Sequence, residues 1–291
     1  MKNNSKVLIY LLICFISFGQ NKIYANDIIF NTSEINIIDN GNTTKAGAGS
    51  AYSKVDNIRI DGQNFKFDKK SSILISNNAK ATLSEKNIEI KADQLIYNQK
   101  NSTVKALGNV KIKDLSNNIT LKSEEAIYKK NKNIIISNVR STFIDDNGNN
   151  IITEEFSYAL SDNLLKISKA KIVDIQNNNY YVEKAFLNLL TNRLIGKDIS
   201  VDFNSLAVNN EPRMKGKTVS ADEDKTVIEK GVFTTCKKDD DCPPWEFLAK
   251  KITHDKKKKT LNYENAWLKL YDKPVFYFPK FFHPDPSVKR Q

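Results

Sequence analysis

Short alternations of apolar and polar residues run through most of the chain. Ile58-Arg-Ile60, Phe65-Lys-Phe67 and Ile88-Glu-Ile90 show the pattern, as do Val104-Lys-Ala106, Val110-Lys-Ile112 and Ile119-Thr-Leu121. Ile199-Ser-Val201-Asp-Phe203 extends it further along. A period of two places every second side chain on one face of a strand. Turn-forming pairs punctuate the runs at Asp61-Gly62, Asn77-Asn78, Gly108-Asn109, Asn117-Asn118, Asn147-Gly148 and Asn177 to Asn179. No helical periodicity of ten residues or more follows the N-terminal segment. The pattern predicts an all-β protein.

The strands recur at a longer period. Ile88 to Tyr97 matches Ile119 to Tyr128, 31 residues later, and Thr153 to Tyr158 follows 30 residues on. Leu165, Leu194, Val227 and Leu261 continue the series at steps of 29, 33 and 34. Each unit reads as strand, polar turn, strand. One such hairpin cannot bury its apolar face alone, whereas stacked units can. The expected fold is an elongated, repeat-built antiparallel structure with an apolar interior. That interior is either a packed core or a slot for acyl chains, and its edge strands invite end-to-end pairing with a similar domain. Ile88, Ile90, Val104, Ile119, Leu121 and Ile136 are the candidates for inward, lipid-facing positions.

The first 25 residues read differently. Lys2 and Lys6 precede a 13-residue apolar run, Val7 to Gly19, and Ala25 stands as a cleavage residue. This is the layout of a secretory signal peptide; the run falls short of the ~20 residues of a membrane span, although an anchor is the alternative. Cys14 lies inside the apolar run and follows Ile13, which argues against a lipoprotein signal. Removing residues 1–25 takes away Lys2, Lys6 and Lys22 and no acid, so the balance becomes 42 − 34 = +8. The cysteines left, Cys236 and Cys242, would meet an oxidising compartment and pair most simply with each other.

Lys and Arg number 45 against 34 acids, but they are scattered, and abundant Asn, Lys and Ile reflect an AT-rich coding bias. No basic helix or stacking motif accompanies them, so nucleic acid is not an expected partner. Two His and three Cys exclude a His-rich metal site by counting. Nucleophile-elbow, zinc-protease and phosphate-loop motifs are absent, which argues against an enzyme and any cofactor. His254 and His283 read as structural hydrogen-bonding residues, and Asp239 to Asp241 as an exposed acidic loop.

The C-terminal segment is distinct. Six of the seven prolines lie after Cys242, and five aromatic residues fall between 276 and 282. Prolines at 274, 279, 284 and 286 exclude a central strand. The aromatic cluster must pack on something, either a membrane-side element or the body of the protein itself.

This segment resembles the LptD family of outer-membrane lipopolysaccharide-assembly proteins. The resemblance rests on Phe233-Thr-Thr-Cys236, Trp245, Ile252-Thr-His254-Asp255, Pro274-Val-Phe-Tyr-Phe-Pro279 and Phe282-His-Pro-Asp-Pro-Ser-Val-Lys-Arg290, and covers residues ~230–291. It implies an OstA-type β-jelly-roll, as in LptA and LptC, over residues 26–235. Residues 236–291 would join it to a transmembrane barrel absent from this sequence, making the chain a fragment or truncated gene product. Trp267, Pro274, Tyr277, Phe278, Pro279, His283, Pro284, Asp285 and Pro286 would then lie at the barrel junction. The implied ligand is lipopolysaccharide. The implied partners are an LptA-like bridge protein at an edge strand and, in the full-length protein, an LptE-like lipoprotein, at the periplasmic face of the outer membrane. The family also allows Cys236 or Cys242 to bridge to the barrel. A freestanding LptA-like adaptor and a β-repeat carbohydrate-active enzyme are the alternative readings.

Overall fold

The computed structural model describes residues 21–25, 28–144, 148–204, 211–237 and 243–288, the first of these stretches as backbone only. The described residues form one sheet of 22 strands, in which every pairing is antiparallel and most strands pair with their neighbours in the chain. The N-terminal strands are short: β1 Asn21–Ala25, β2 Ile28–Thr32, β3 Ile35–Ile38, β4 Thr43–Ala46 and β5 Gly49–Ser53. Five long strands follow, β6 Ile58–Asp68, β7 Ile73–Leu83, β8 Ile88–Asn98, β9 Thr103–Asp114 and β10 Ile119–Lys129. Then come β11 Ile134–Ser137, β12 Ser141–Ile144, β13 Asn150–Thr153, β14 Glu155–Ala159, β15 Leu164–Val173 and β16 Asn179–Asn188. The chain ends with β17 Arg193–Asp202, β18 Arg213–Ala221, β19 Lys225–Thr234, β20 Trp245–Asp255, β21 Thr260–Leu270 and β22 Lys273–Pro284.

The long strands fold over at their middles. In β8 the buried positions are Ile88, Ile90 and Ala92, then Leu95 and Tyr97, so the alternation slips by one residue between Ala92 and Leu95. β10 repeats the slip between Ser123 and Ala126. The pairing register shifts at the same places, between Lys91 and Gln94 and between Ser123 and Glu125. Such bulges bend a sheet while keeping its apolar face inward. Each strand therefore contributes one half to each of two facing leaves, and the apolar side chains lie between them. Where a long strand is replaced by two short ones, each takes one leaf: β11 and β12 both pair with β10.

Asp61-Gly62, Asn77-Asn78 and Gly108-Asn109 correct the sequence reading. They sit inside β6, β7 and β9, at the fold, and not between strands. Asn78 (φ 44°) and Asn109 (φ 46°) adopt the left-handed conformation that Asn tolerates better than most residues. Gly108 has φ 71°, and a Cβ there would stand 2.6 Å from the Asp93 carboxylate. A turn signal and a bulge signal use the same residues, so local sequence alone does not separate them.

The interior forms two apolar clusters. The larger runs from Ile28 to Ala185, and the smaller from Ile199 to Ala266. Leu194 packs against both, and the two meet at β16 and β17. β20, β21 and β22 continue the sheet past the expected boundary at residue 235, which falls in the connection between β19 and β20. β22 is an edge strand, as its prolines require.

Candidate functional site

Pairing register lines up one row of residues next to one lip of the fold. Leu74, Tyr97, Val104, Tyr128, Ile135, Tyr158, Leu165, Leu187, Leu194, Ala221, Thr226, His254, Leu261 and His283 stand side by side across successive strands. The row is buried through most of its length, but Leu187, Leu194 and Ala221 are only half-buried.

Polar side chains of this row clasp the opposite lip. The Tyr97 hydroxyl donates to Asp56 Oδ2 at 2.5 Å and lies 2.8 Å from Ser53 Oγ. Lys130 adds a contact from its Nζ to Asp56 Oδ1 at 3.3 Å. Tyr158 donates to Asp114, and Asn117 Nδ2 reaches both the Tyr158 hydroxyl (2.9 Å) and Asn163 Oδ1 (2.8 Å). Burial pushes the phenols of Tyr97 and Tyr158 upward, and their carboxylate partners push them further. Tyr128 is pushed up to about 12, by burial first and then by Glu85 and Asp56.

A second cluster of polar and aromatic contacts stands at the C-terminal end of the row. His254 Nε2 meets Asp285 Oδ2 at 2.5 Å, with both side chains buried. Across the mouth, the Phe203 ring meets the His254 ring edge-on at 5.8 Å. Burial alone would raise the Asp285 carboxyl. The hydrogen bonds from His254 and from the Ser287 amide outweigh that effect and hold it at about 2. The Tyr263 hydroxyl lies 2.8 Å from His283 Nε2.

Between the two sets the row is aliphatic except for Thr226. Leu187 and Ala221 occupy the places that Tyr97, Tyr128 and Tyr158 hold earlier and His254 holds later. A cavity of about 580 Å³ opens there, with Ile172, Leu187, Leu194, Ile199 and Val219 on its walls. Its rim carries Asp174, Asp222, Glu223 and Lys256. A smaller hollow of about 260 Å³ shares Asn149, Ile151, Leu187 and Asn192 with it and extends the trough toward Asn117.

Of the candidate lipid-facing residues, Ile88, Ile90, Val104, Ile119 and Leu121 are buried between the leaves. They belong to the packed part of the interior and do not line the larger cavity. Ile136 is a correction: it is half-buried on the other face, and its neighbour Ile135 is the buried one. Three consecutive isoleucines carry no alternation, so nothing in the local sequence sets their phase. Cys236 Sγ lies 3.6 Å from the Trp245 carbonyl oxygen. Cys242 and Asp239 to Asp241 lie outside the described residues, as does most of the expected signal peptide.

The proposed junction residues divide by face. Trp267 and Tyr277 stack outward with ring centroids 5.1 Å apart, beside exposed Phe276 and Phe282. Phe278 and Phe281 pack inward on Phe247, and Asp285 is the buried partner of His254. Among the described residues no group of three or more His, Cys, Asp or Glu side chains could hold a metal ion.

No family model and no curated protein sequence matches this chain. Among solved structures it is similar to LptH from Pseudomonas aeruginosa, the LptA homologous periplasmic component of the lipopolysaccharide transport device. The likeness has 13% sequence identity and a TM-score of 0.23, over 47% of this chain and 78% of that one.

Proposed function

We propose that the chain is a lipopolysaccharide conduit of the LptD type, whose folded sheet shields acyl chains between its leaves while the sugar head group stays in water. The observation that supports this best is the apolar lining that runs through both clusters and opens to solvent where the clasp row is interrupted. The motif resemblance of residues ~230–291 supports the same reading. The leaves at Ile90 and Leu121 are packed shut, at 1% and 3% exposure, so passage requires the clasped lips to part. No step of covalent chemistry is needed, and the energy for transport would come from elsewhere in the pathway.

The N-terminal end offers the docking edges. Among the described residues β3 pairs with β4 alone and leaves Ile37 and Ile38 exposed. β1 lies along β2, so cleavage after Ala25 would release β1 and bare β2 as the edge of the other leaf. An LptA-like bridge protein would pair there through backbone hydrogen bonds. At the other end, the outward aromatic face of β22 would meet the barrel of the full-length protein.

A photo-crosslinking residue at Ile90 or Leu121, in cells carrying the full-length version, tests the conduit. Capture of lipopolysaccharide there, and not at Glu89 or Thr120, is expected. Capture only from those polar neighbours would overturn the facing. The freestanding-adaptor reading is favoured by one feature, the uninterrupted continuation of the sheet into β22. Sequence downstream of the chain separates the two, since barrel strands of ~10 alternating residues belong only to the first.

A further inference from the structure

We propose that the gap at Leu187 and Ala221 is a lateral port that takes one aliphatic lipid chain, joined to its head group by an uncharged linkage. This rests on the conduit reading above and gives it a point of entry or exit.

The argument begins with the row itself. On either side of the gap, row members reach the opposite lip: Tyr97 and Tyr158 through hydrogen bonds before it, and His254 through its ring against Phe203 after it. Leucine and alanine at 187 and 221 have neither a donor nor the reach to cross the mouth. The half-buried state of Leu187, Leu194 and Ala221, in a row otherwise largely buried, marks the same place. The two apolar clusters also meet there, through half-buried Leu194, and the cavity lies beside that junction.

The cavity's size and lining then specify the occupant. About 580 Å³ lies within the range of small-ligand sites, ~300–1,000 Å³. The walls are mainly branched aliphatic, with Thr226, Asn149 and Asn192 as uncharged polar members and Tyr180 the one aromatic ring, and its hydroxyl is turned to Asp174 Oδ2 at 2.9 Å. A mostly aliphatic floor suits methylene chains and disfavours sugars and peptides, most of whose polar groups would lose water without replacement. The rim is polar, which keeps the linkage wet. Asp174, Asp222 and Glu223 stand there against the single ammonium of Lys256, whose Nζ is tied to the Asp222 carbonyl oxygen at 2.7 Å. Three carboxylates disfavour a carboxylate or phosphate at the point of attachment and accept an amide or ester. A phosphorylated head group would have to sit beyond the rim.

The test uses the full chain and two twelve-carbon diazirine probes, a fatty amide and the matching free fatty acid at pH 7. Photolysis and peptide mapping should place the amide probe on β16, β17 and β18 near Leu187, Leu194 and Val219, with several-fold weaker labelling by the acid. Leu187→Tyr or Ala221→Tyr restores a clasp-sized residue and should lower labelling about tenfold with an unchanged melt. Tyr128→Phe, in the closed section, should leave it intact. Labelling spread along the sheet, or centred on the aromatic face of β22, would overturn the port. If one tyrosine variant fails to fold, the other variant and the wild-type map still decide. Capture of lipopolysaccharide at Ile90 with an unlabelled gap sinks the port alone. Chain labelling at the gap with no lipopolysaccharide capture supports the port and sinks the conduit.

Discussion

The Tyr158 hydroxyl donates to the Asp114 carboxylate, and the pair joins the two lips of the folded sheet across 44 residues of sequence. Asp114 also accepts the amides of Ser116 (2.9 Å) and Asn117 (3.0 Å), so the carboxylate is fixed in its turn before the tyrosine arrives. Tyr158→Phe keeps the ring and removes the donor. A loss of about 1–2 kcal/mol in urea unfolding is expected, with faster amide exchange at Asn117 and Asn163. Exchange that stays as slow as in the wild type would show that packing alone holds the lips.

Alkali should loosen the same mouth. Tyr128 is held protonated up to about 12 in the fold, whereas an unfolded tyrosine loses its proton near ~10. A raised pKa contributes stability that is complete below the unfolded value and lost as pH rises through the folded one. Unfolding free energy should therefore fall between about pH 10 and 12, by at most ~1.4 kcal/mol per pH unit per tyrosine. Tyr128→Phe should flatten that slope. An identical slope in the variant would assign the alkaline loss to other groups.

Acid acts on the His254–Asp285 pair with the opposite sign. Asp285 sits at about 2 in the fold, against ~3.9 when unfolded. Its contribution is present above the unfolded value and is lost as pH falls from about 4 toward 2. Asp285→Asn should cost about 2 kcal/mol at pH 7 and little at pH 2, read by denaturant titration at both. An equal cost at both pH values would mean that the asparagine disturbs packing and not charge.

Docking at the N-terminal edge is tested with a proline, which removes one backbone donor. Ile37→Pro should weaken capture of a partner jelly-roll in a pull-down while the thermal melt holds, since Ile37 is half-exposed on β3. Unchanged capture would move the docking edge elsewhere.

The tail carries two separable roles. Deleting 274–291 strips Phe278, Phe281 and His283 from Phe247 and Tyr263, and removes Asp285 from His254. The melting temperature should fall by at least ~5 °C. Phe276→Ser with Phe282→Ser removes two exposed rings and should improve solubility with little change in the melt. A tail deletion that melts like the intact chain would mean that the inward ring contacts contribute little.

Alternation along Ile88 to Ile90 and Ile119 to Leu121 made the strands and their inward faces legible before any coordinates. The mid-strand fold was not, because Asn78 and Gly108-Asn109 serve a bulge as readily as a turn. Asparagine abundance was assigned to coding bias, yet among the described residues twelve of the 21 non-glycine positions with positive φ are asparagine. Part of that composition is therefore conformational. The tyrosines at 97, 128 and 158 were visible as repeat markers. Their role across the mouth required knowing which turn lies opposite each one, a relation between residues some 40 apart. Continuing the same alignment to Leu187 would have shown where the tyrosine series stops.

Because an unbroken series of antiparallel pairings runs from β6 to β22, the sheet is also a ruler. Neighbouring strands are ~4.8 Å apart, so each hairpin sets ~10 Å of reach along the stacking direction. A hairpin can be lost or gained in the middle without changing which strand stands at either end, so the span such a protein bridges can drift in evolution by whole hairpins.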